Sequence, residues 1–109
     1  MDAEVFLALR GAIDDQQPAV LATVTRTWGS TPRTVGAKMV VFPDGTSLGT
    51  VGGGCGEAEV RRNAMIALDT GKPLLISVDL TGDFEVRGEI CGGVMEVFID
   101  PILYRKSSS

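Results

Sequence analysis

Three consecutive glycines, Gly52, Gly53 and Gly54, lead into Cys55, Gly56 and Glu57, and the residues from Glu57 to Thr70 are good helix formers until Gly71 and Pro73 stop them. This junction constrains the fold more than any other stretch, because glycine is costly inside regular structure and a helix must begin where the run ends. The first turn of a helix leaves backbone N–H groups unpaired and carries a partial positive charge. Glycines there let a phosphate or oxyanion approach the main chain. The same field lowers the pKa of a cysteine placed in it. A second glycine-flanked cysteine, Cys91 in Ile90-Cys91-Gly92-Gly93, accounts for the remaining thiol. The competing reading is that both cysteines pack as small apolar residues in tight turns.

Around the junction, periodicity predicts the other elements. Val5, Phe6, Leu9, Ala12 and Ile13 recur at helical intervals between Asp2, placed as an N-cap, and Gln16. Ala19 to Thr25 alternates like a central strand, and Arg26 to Gly36 reads as a long connecting loop carrying Trp28 and Arg33. Lys38–Phe42 and Ser47–Val51 flank Pro43-Asp44-Gly45-Thr46, the clearest hairpin signal in the chain. In the helix after the glycines, Ala58, Arg61, Ala64, Met65 and Leu68 are expected along one face. Leu74–Asp79 and Val94–Ile99 complete the strand candidates, with Leu80 to Glu89 as a polar excursion between them. The expected architecture is α/β or α+β, a single small domain over residues 1–104 with a mixed β-sheet flanked by helices, and a disordered tail over 105–109.

Composition narrows the function classes. The chain of 109 residues has a hydrophobic fraction of 44%, a charged fraction of 22% and a net charge of −4, with no basic stripe for a phosphodiester backbone. No nucleic acid and no membrane are expected as partners. The opening residues lack the pattern of a signal peptide, so the expected location is cytoplasmic and the cysteines are expected as thiols. There is no histidine. Serine-histidine and cysteine-histidine catalysis are therefore excluded within one chain, as is the commonest ligand of zinc, iron and copper.

Three loops are candidates for one site: Gly29-Ser30-Thr31-Pro32-Arg33, the run from Gly52 to Glu57, and Ile90-Cys91-Gly92-Gly93. Together they offer hydroxyls, open amides, two sulfurs and a guanidinium whose planar fork matches an oxyanion. Trp28 is suited to stack on a planar ligand or to anchor its loop in the core. The glycine run is neither a dinucleotide fingerprint nor a Walker motif. Glu57 and Glu59 suit the helix dipole but would compete with a bound anion.

In their order, Gly29-Ser30-Thr31-Pro32-Arg33 with Gly36-Ala37-Lys38-Met39, then Gly52-Gly53-Gly54-Cys55 with Glu57-Ala58-Glu59-Val60, then Cys91-Gly92-Gly93 with Glu96-Val97, the chain resembles the XdhC/CoxI family. The likeness runs from the first helix to Pro101. It implies an accessory protein, a chaperone rather than a catalyst, which binds molybdenum cofactor and helps to mature or insert it into an enzyme of the xanthine dehydrogenase or carbon monoxide dehydrogenase type. The implied cofactor is molybdopterin, with or without a nucleotide, and the implied binding residues are Ser30, Arg33, Gly52, Gly53, Gly54, Cys55, Glu57, Cys91, Gly92 and Gly93. Cys55 and Cys91 would be the thiols nearest the molybdenum. The implied partners are an apo-molybdenum hydroxylase and a sulfur donor of the cysteine desulfurase type, and an exposed strand edge or apolar helix face would suit a homodimer.

Departures from the family pattern are local. Gly56 stands where an apolar residue usually follows the first cysteine, and Glu89 places a carboxylate close to Cys91. Many members continue into a Rossmann-like domain, so the chain is expected to be a stand-alone version or a fragment. The alternatives from other classes are a thiol-dependent redox enzyme using Cys55 and Cys91, and a non-catalytic interaction module.

Overall fold

A computed structural model gives the fold of the chain and describes residues 3–29, 35–51, 54–79 and 93–103. Its elements are α1 (Ala3–Asp14), β1 (Ala19–Gly29), β2 (Lys38–Val41), β3 (Ser47–Gly49), α2 (Gly54–Thr70), β4 (Leu74–Asp79) and β5 (Gly93–Leu103). The five strands form one sheet in the order β3-β2-β1-β5-β4, so β1 is central as its alternation predicts. All four pairings are antiparallel. The architecture is therefore α+β, and the sheet is uniform where a mixed one was expected.

The two helices cover opposite faces. α2 packs on β1, β5 and β4 over a core that includes Val20, Ala22, Val24, Met39, Val97 and Ile99, all fully buried. α1 lies over β2 and β3 on the other face, where Val5, Leu9 and Ala12 meet Ala19 and Val40. This smaller cluster leaves Phe6 and Ile13 of α1 exposed. It also leaves much of the β4–β5 face open, where Leu75 and Phe98, partners in register, are both exposed.

The helical face of α2 differs from the expected one. Val60, Ala64, Ala67 and Leu68 are buried, whereas Ala58 and Met65 are exposed. Val60 and Ala67 carry the inward stripe at seven-residue spacing, and Met65, apolar though it is, lies off that stripe. Both long strands also outrun their expected lengths. Arg26 to Gly29 belongs to β1, paired with Gly93 to Glu96 of β5, instead of to the loop. Between Val24 and Arg26 the register gains one residue on β1, a bulge at Thr25. Without it, strict alternation would send Arg26 and Trp28 under α2. With it, both lie on the open face, beside Glu96 and Val94. The Thr25 hydroxyl donates to the Glu96 backbone oxygen at 3.2 Å and to its Oε1 at 2.8 Å, which holds the extra residue in place. The expected tail over 105–109, the Asp2 cap and the excursion from Leu80 to Glu89 lie outside the described residues.

Candidate functional site at the glycine end of the sheet

Strand register decides where the motif-bearing segments leave the fold. Gly29, the last residue of β1, is paired directly with Gly93, the first residue of β5, and Asp79 at the end of β4 pairs with Val94 beside it. The segment after Gly29 and the segment before Gly93 therefore meet the sheet at one place. β2 starts at Lys38, opposite Thr23, so β1 continues past it by roughly 20 Å at the usual rise per strand residue.

α2 points its N-terminus towards the same end. Near its C-terminus, Leu68 and Asp69 share with Pro18, Pro43 and Met65 a shallow cleft of about 220 Å³. Pro18 precedes β1 and Pro43 follows β2, so the cleft marks the opposite end of the sheet. A helix of 17 residues is about 25 Å long, so α2 runs back from there in the direction of the end at which Gly29 meets Gly93. β3 ends at Gly49 heading the same way, and residues 50–53 connect it to α2. The glycine run thus lies on the path that delivers the chain to the first turn of α2.

Of the residues singled out from the sequence, Gly54 and Cys55 open α2 as its first two residues, Glu57 sits in its first turn and Gly93 opens β5. Ser30, Arg33, Gly52, Gly53, Cys91 and Gly92 lie outside the described residues. The helix starts three residues earlier than its helix formers alone predict, which places Cys55 within the turn whose amides are unpaired. Among the described residues, no group of three or more His, Cys, Asp or Glu side chains could hold a metal ion.

Glu57 is engaged within the protein. Its Oε2 accepts a hydrogen bond from the Thr50 hydroxyl, and its Oε1 lies 3.7 Å from the Arg61 guanidinium one helical turn on. The same pattern recurs at Glu59, whose carboxylate meets Arg62 at 2.6 Å. Both acidic residues of the first turns are thereby matched by arginines, which moderates their repulsion of an anion at the helix start. Sequence reasoning missed Thr50. A hydroxyl seven residues before a glutamate falls outside the spacing of a capping box, so only the fold brings the two together.

Comparisons of sequence and of structure place the chain among known proteins. Residues 12–79 match the sequence pattern of the XdhC and CoxI family. The chain is 39% identical over 83 residues to the Uncharacterized protein YqeB of Escherichia coli (strain K12), covering 75% of this chain and 15% of that protein. It is 31% identical over 101 residues to a probable xanthine dehydrogenase component of Bacillus subtilis (strain 168), covering 90% of this chain and 31% of that one. A crystal structure of a xanthine dehydrogenase from Bacillus halodurans superposes with a TM-score of 0.72 at 28% identity, over 88% of this chain and 30% of that chain. The chain thus spans less than a third of the length of each of these relatives.

Proposed function

From its membership of the XdhC and CoxI family, to which this chain belongs, we propose that it is a maturation factor for a molybdenum hydroxylase and holds molybdenum cofactor at the glycine end of its sheet. The observation that carries this reading is the pairing of Gly29 with Gly93 at the end towards which α2 directs its first turn. The described residues fit the phosphate of such a cofactor. Open amides begin at Gly54, and the carboxylates of Glu57 and Glu59 are matched by Arg61 and Arg62. Cys55 and Cys91 would supply soft sulfur donors towards the metal, which suits a thiophilic centre better than oxygen would. An apo-molybdenum hydroxylase would receive the cofactor and a cysteine desulfurase-type protein would supply sulfur. The relatives named for xanthine dehydrogenase support a client of that class.

The test is molybdenum that co-purifies with the protein from cells that make the cofactor, measured by elemental analysis. Wild-type protein retains molybdenum, and Cys55→Ser and Cys91→Ser each lose most of it while keeping the fold, by more than Arg33→Ala does. The guanidinium shares its phosphate with several amides, whereas the metal end has only two sulfurs to draw on. Wild-type protein without molybdenum or pterin under these conditions would sink the carrier reading.

A further inference from the structure

The two edges of the sheet are guarded unequally. β3 is three residues long and lies under α1, whose Val5 side chain comes close enough to Gly49 to exclude a Cβ there. β4 is six residues long, and among the described residues nothing pairs with its outer edge. Its register with β5 runs unbroken from Leu74 to Asp79, and it contains no proline and no lysine. Apart from Asp79 at its end, β4 lacks the devices that keep an edge strand from pairing with another chain: shortness, charge, proline, a bulge or a covering element.

The apolar pattern of β4 is symmetric about its middle. Leu74, Ile76 and Val78 share the α2 face, where Leu74 and Ile76 pack on the core yet remain only half-buried. On the other face Leu75 is 60% exposed, next to the exposed Phe98.

We propose that β4 pairs antiparallel with β4 of a second copy of this chain, about a two-fold axis beside Ile76, joining the two five-stranded sheets into one. Residues opposite each other in an antiparallel pair project to the same face, so a two-fold axis perpendicular to the sheet sets one residue against itself. Ile76 is the choice that keeps 74–78 paired throughout. Leu74 then opposes Val78 of the second copy, which extends the half-covered row under α2, and Leu75 opposes Ser77. Centring on Leu75 would bring Pro73, which has no N–H, into the ladder, and centring on Ser77 would set Leu75 against Asp79. The strand ends are also matched in charge. Exposed Lys72 precedes β4 and Asp79 closes it, and antiparallel pairing brings the start of one strand beside the end of the other. A second copy thus supplies the matching edge, the apolar row and the end charges by symmetry alone. The contact is smaller than the roughly 800 Å² per partner of a standard interface, so the dimer dissociates on the order of 10 μM. Asp79 lies at the glycine end of the sheet, and the two glycine ends therefore point in opposite directions, each left open. This inference is independent of the cofactor reading.

Sedimentation equilibrium of the full chain, from roughly 5 to 500 μM, tests it. The expected result is a reversible passage from 11.5 kDa to twice that mass, with amide exchange in a peptide covering 73–79 slowing as the dimer forms. Leu75→Lys, at an exposed position, raises the dissociation constant at least about tenfold while leaving the circular dichroism spectrum unchanged. In a Cys55→Ser, Cys91→Ser background, Ile76→Cys forms an intermolecular disulfide on mild oxidation, since directly opposed residues lie within bonding reach. Leu48→Cys, on the other edge, does not. Should Ile76→Cys loosen the core, chains with Leu75→Cys mixed with chains with Ser77→Cys carry the same test from two exposed positions, and cross-link to each other in preference to themselves. A monomer at every concentration would overturn the proposal. So would a dimer that Leu75→Lys leaves intact, or cross-linking on β4 no faster than at Leu48→Cys, either of which would put the contact elsewhere.

Discussion

At one end of the sheet the chain reverses through turns that satisfy their own backbone, and at the other Gly54 opens α2, whose first-turn amides have no partner within the helix. The turn between β2 and β3 closes with Phe42 N–H on Thr46 O at 2.9 Å and Gly45 N–H on Phe42 O at 2.9 Å. The exit from α1 has Gln17 N–H on Ala12 O at 2.7 Å, and the exit from α2 has Gly71 N–H on Ala67 O at 2.8 Å, with Gly71 at φ 71°. At the other end, Gly54 starts α2 where amides are in excess and Gly93 starts β5 against Gly29. The difference separates two uses of the same residue type. Glycine in the turns fulfils a backbone requirement, whereas glycine at the helix start would, on the proposed function, give a ligand access to the main chain.

The largest expected effect tests whether the packed body and the open end are separable. Ile99, fully buried in the row between Ala22 and Leu74, leaves a cavity when cut to alanine, and Ile99→Ala should lose about 3.5 kcal/mol in denaturant unfolding. Per molecule still folded, molybdenum retention should match wild type. A drop in retention as large as that caused by Cys55→Ser would break the comparison.

Gly49 sharpens the distinction between the two kinds of glycine. A Cβ there would sit 2.5 Å from Val5 Cγ2 and 2.6 Å from the Lys38 backbone oxygen, at φ +79°. Gly49→Ala should therefore cost about 3 kcal/mol, combining left-handed strain with a clash against β2 that cannot be relieved by a rotamer change. Thermal unfolding would reveal it, and an unchanged midpoint would mean that β2 and β3 admit the methyl group without cost.

Gly54→Val should do the reverse. With the fold intact by circular dichroism, affinity for a phosphate-bearing pterin in isothermal titration should fall about tenfold, equivalent to about 1.4 kcal/mol. Equal affinity in the folded variant would remove the glycine run from the site.

The smallest effect belongs to the β2–β3 turn. The Thr46 hydroxyl, at 2.6 Å, and then its backbone N–H, at 3.0 Å, donate to Asp44 Oδ1 and hold that carboxyl below its ordinary pKa. A lowered folded value means the turn's contribution is complete at neutral pH, above the ordinary carboxyl range, and disappears as pH falls through the lowered value. Carboxyl-detected NMR should show Asp44 titrating higher in Thr46→Val than in wild type. Identical curves would remove the hydroxyl as the cause.

Local chemistry made some of this legible and left the rest hidden. The hairpin around Pro43-Asp44-Gly45-Thr46 and the bounds of β4 follow from turn residues and from runs that end at Gly and Pro, so both could be read directly. The second half of β1 could not. Arg26 and Trp28 suit a loop by composition, and only the partner strand and the bulge at Thr25 make them strand residues with an exposed face. The candidate site divides the same way. Cys55 at a helix start is visible as a glycine-to-helix junction, but the meeting of Gly29 with Gly93 across many residues of sequence is a property of strand order. So is the approach of Thr50 to Glu57.

The bulge at Thr25 also bears on how this fold tolerates changes in chain length. Losing one residue from a regular strand inverts the facing of everything beyond it, which for β1 would drive Trp28 inward and Thr27 outward. Loss of Thr25 itself turns Val24-Arg26-Thr27 into uninterrupted alternation and leaves each later side chain on the face it already occupies, at the cost of the Thr25 bonds to Glu96. A single-residue deletion can therefore be absorbed within the central strand at this position, and relatives of different β1 length can keep the same pairing of Gly29 with Gly93.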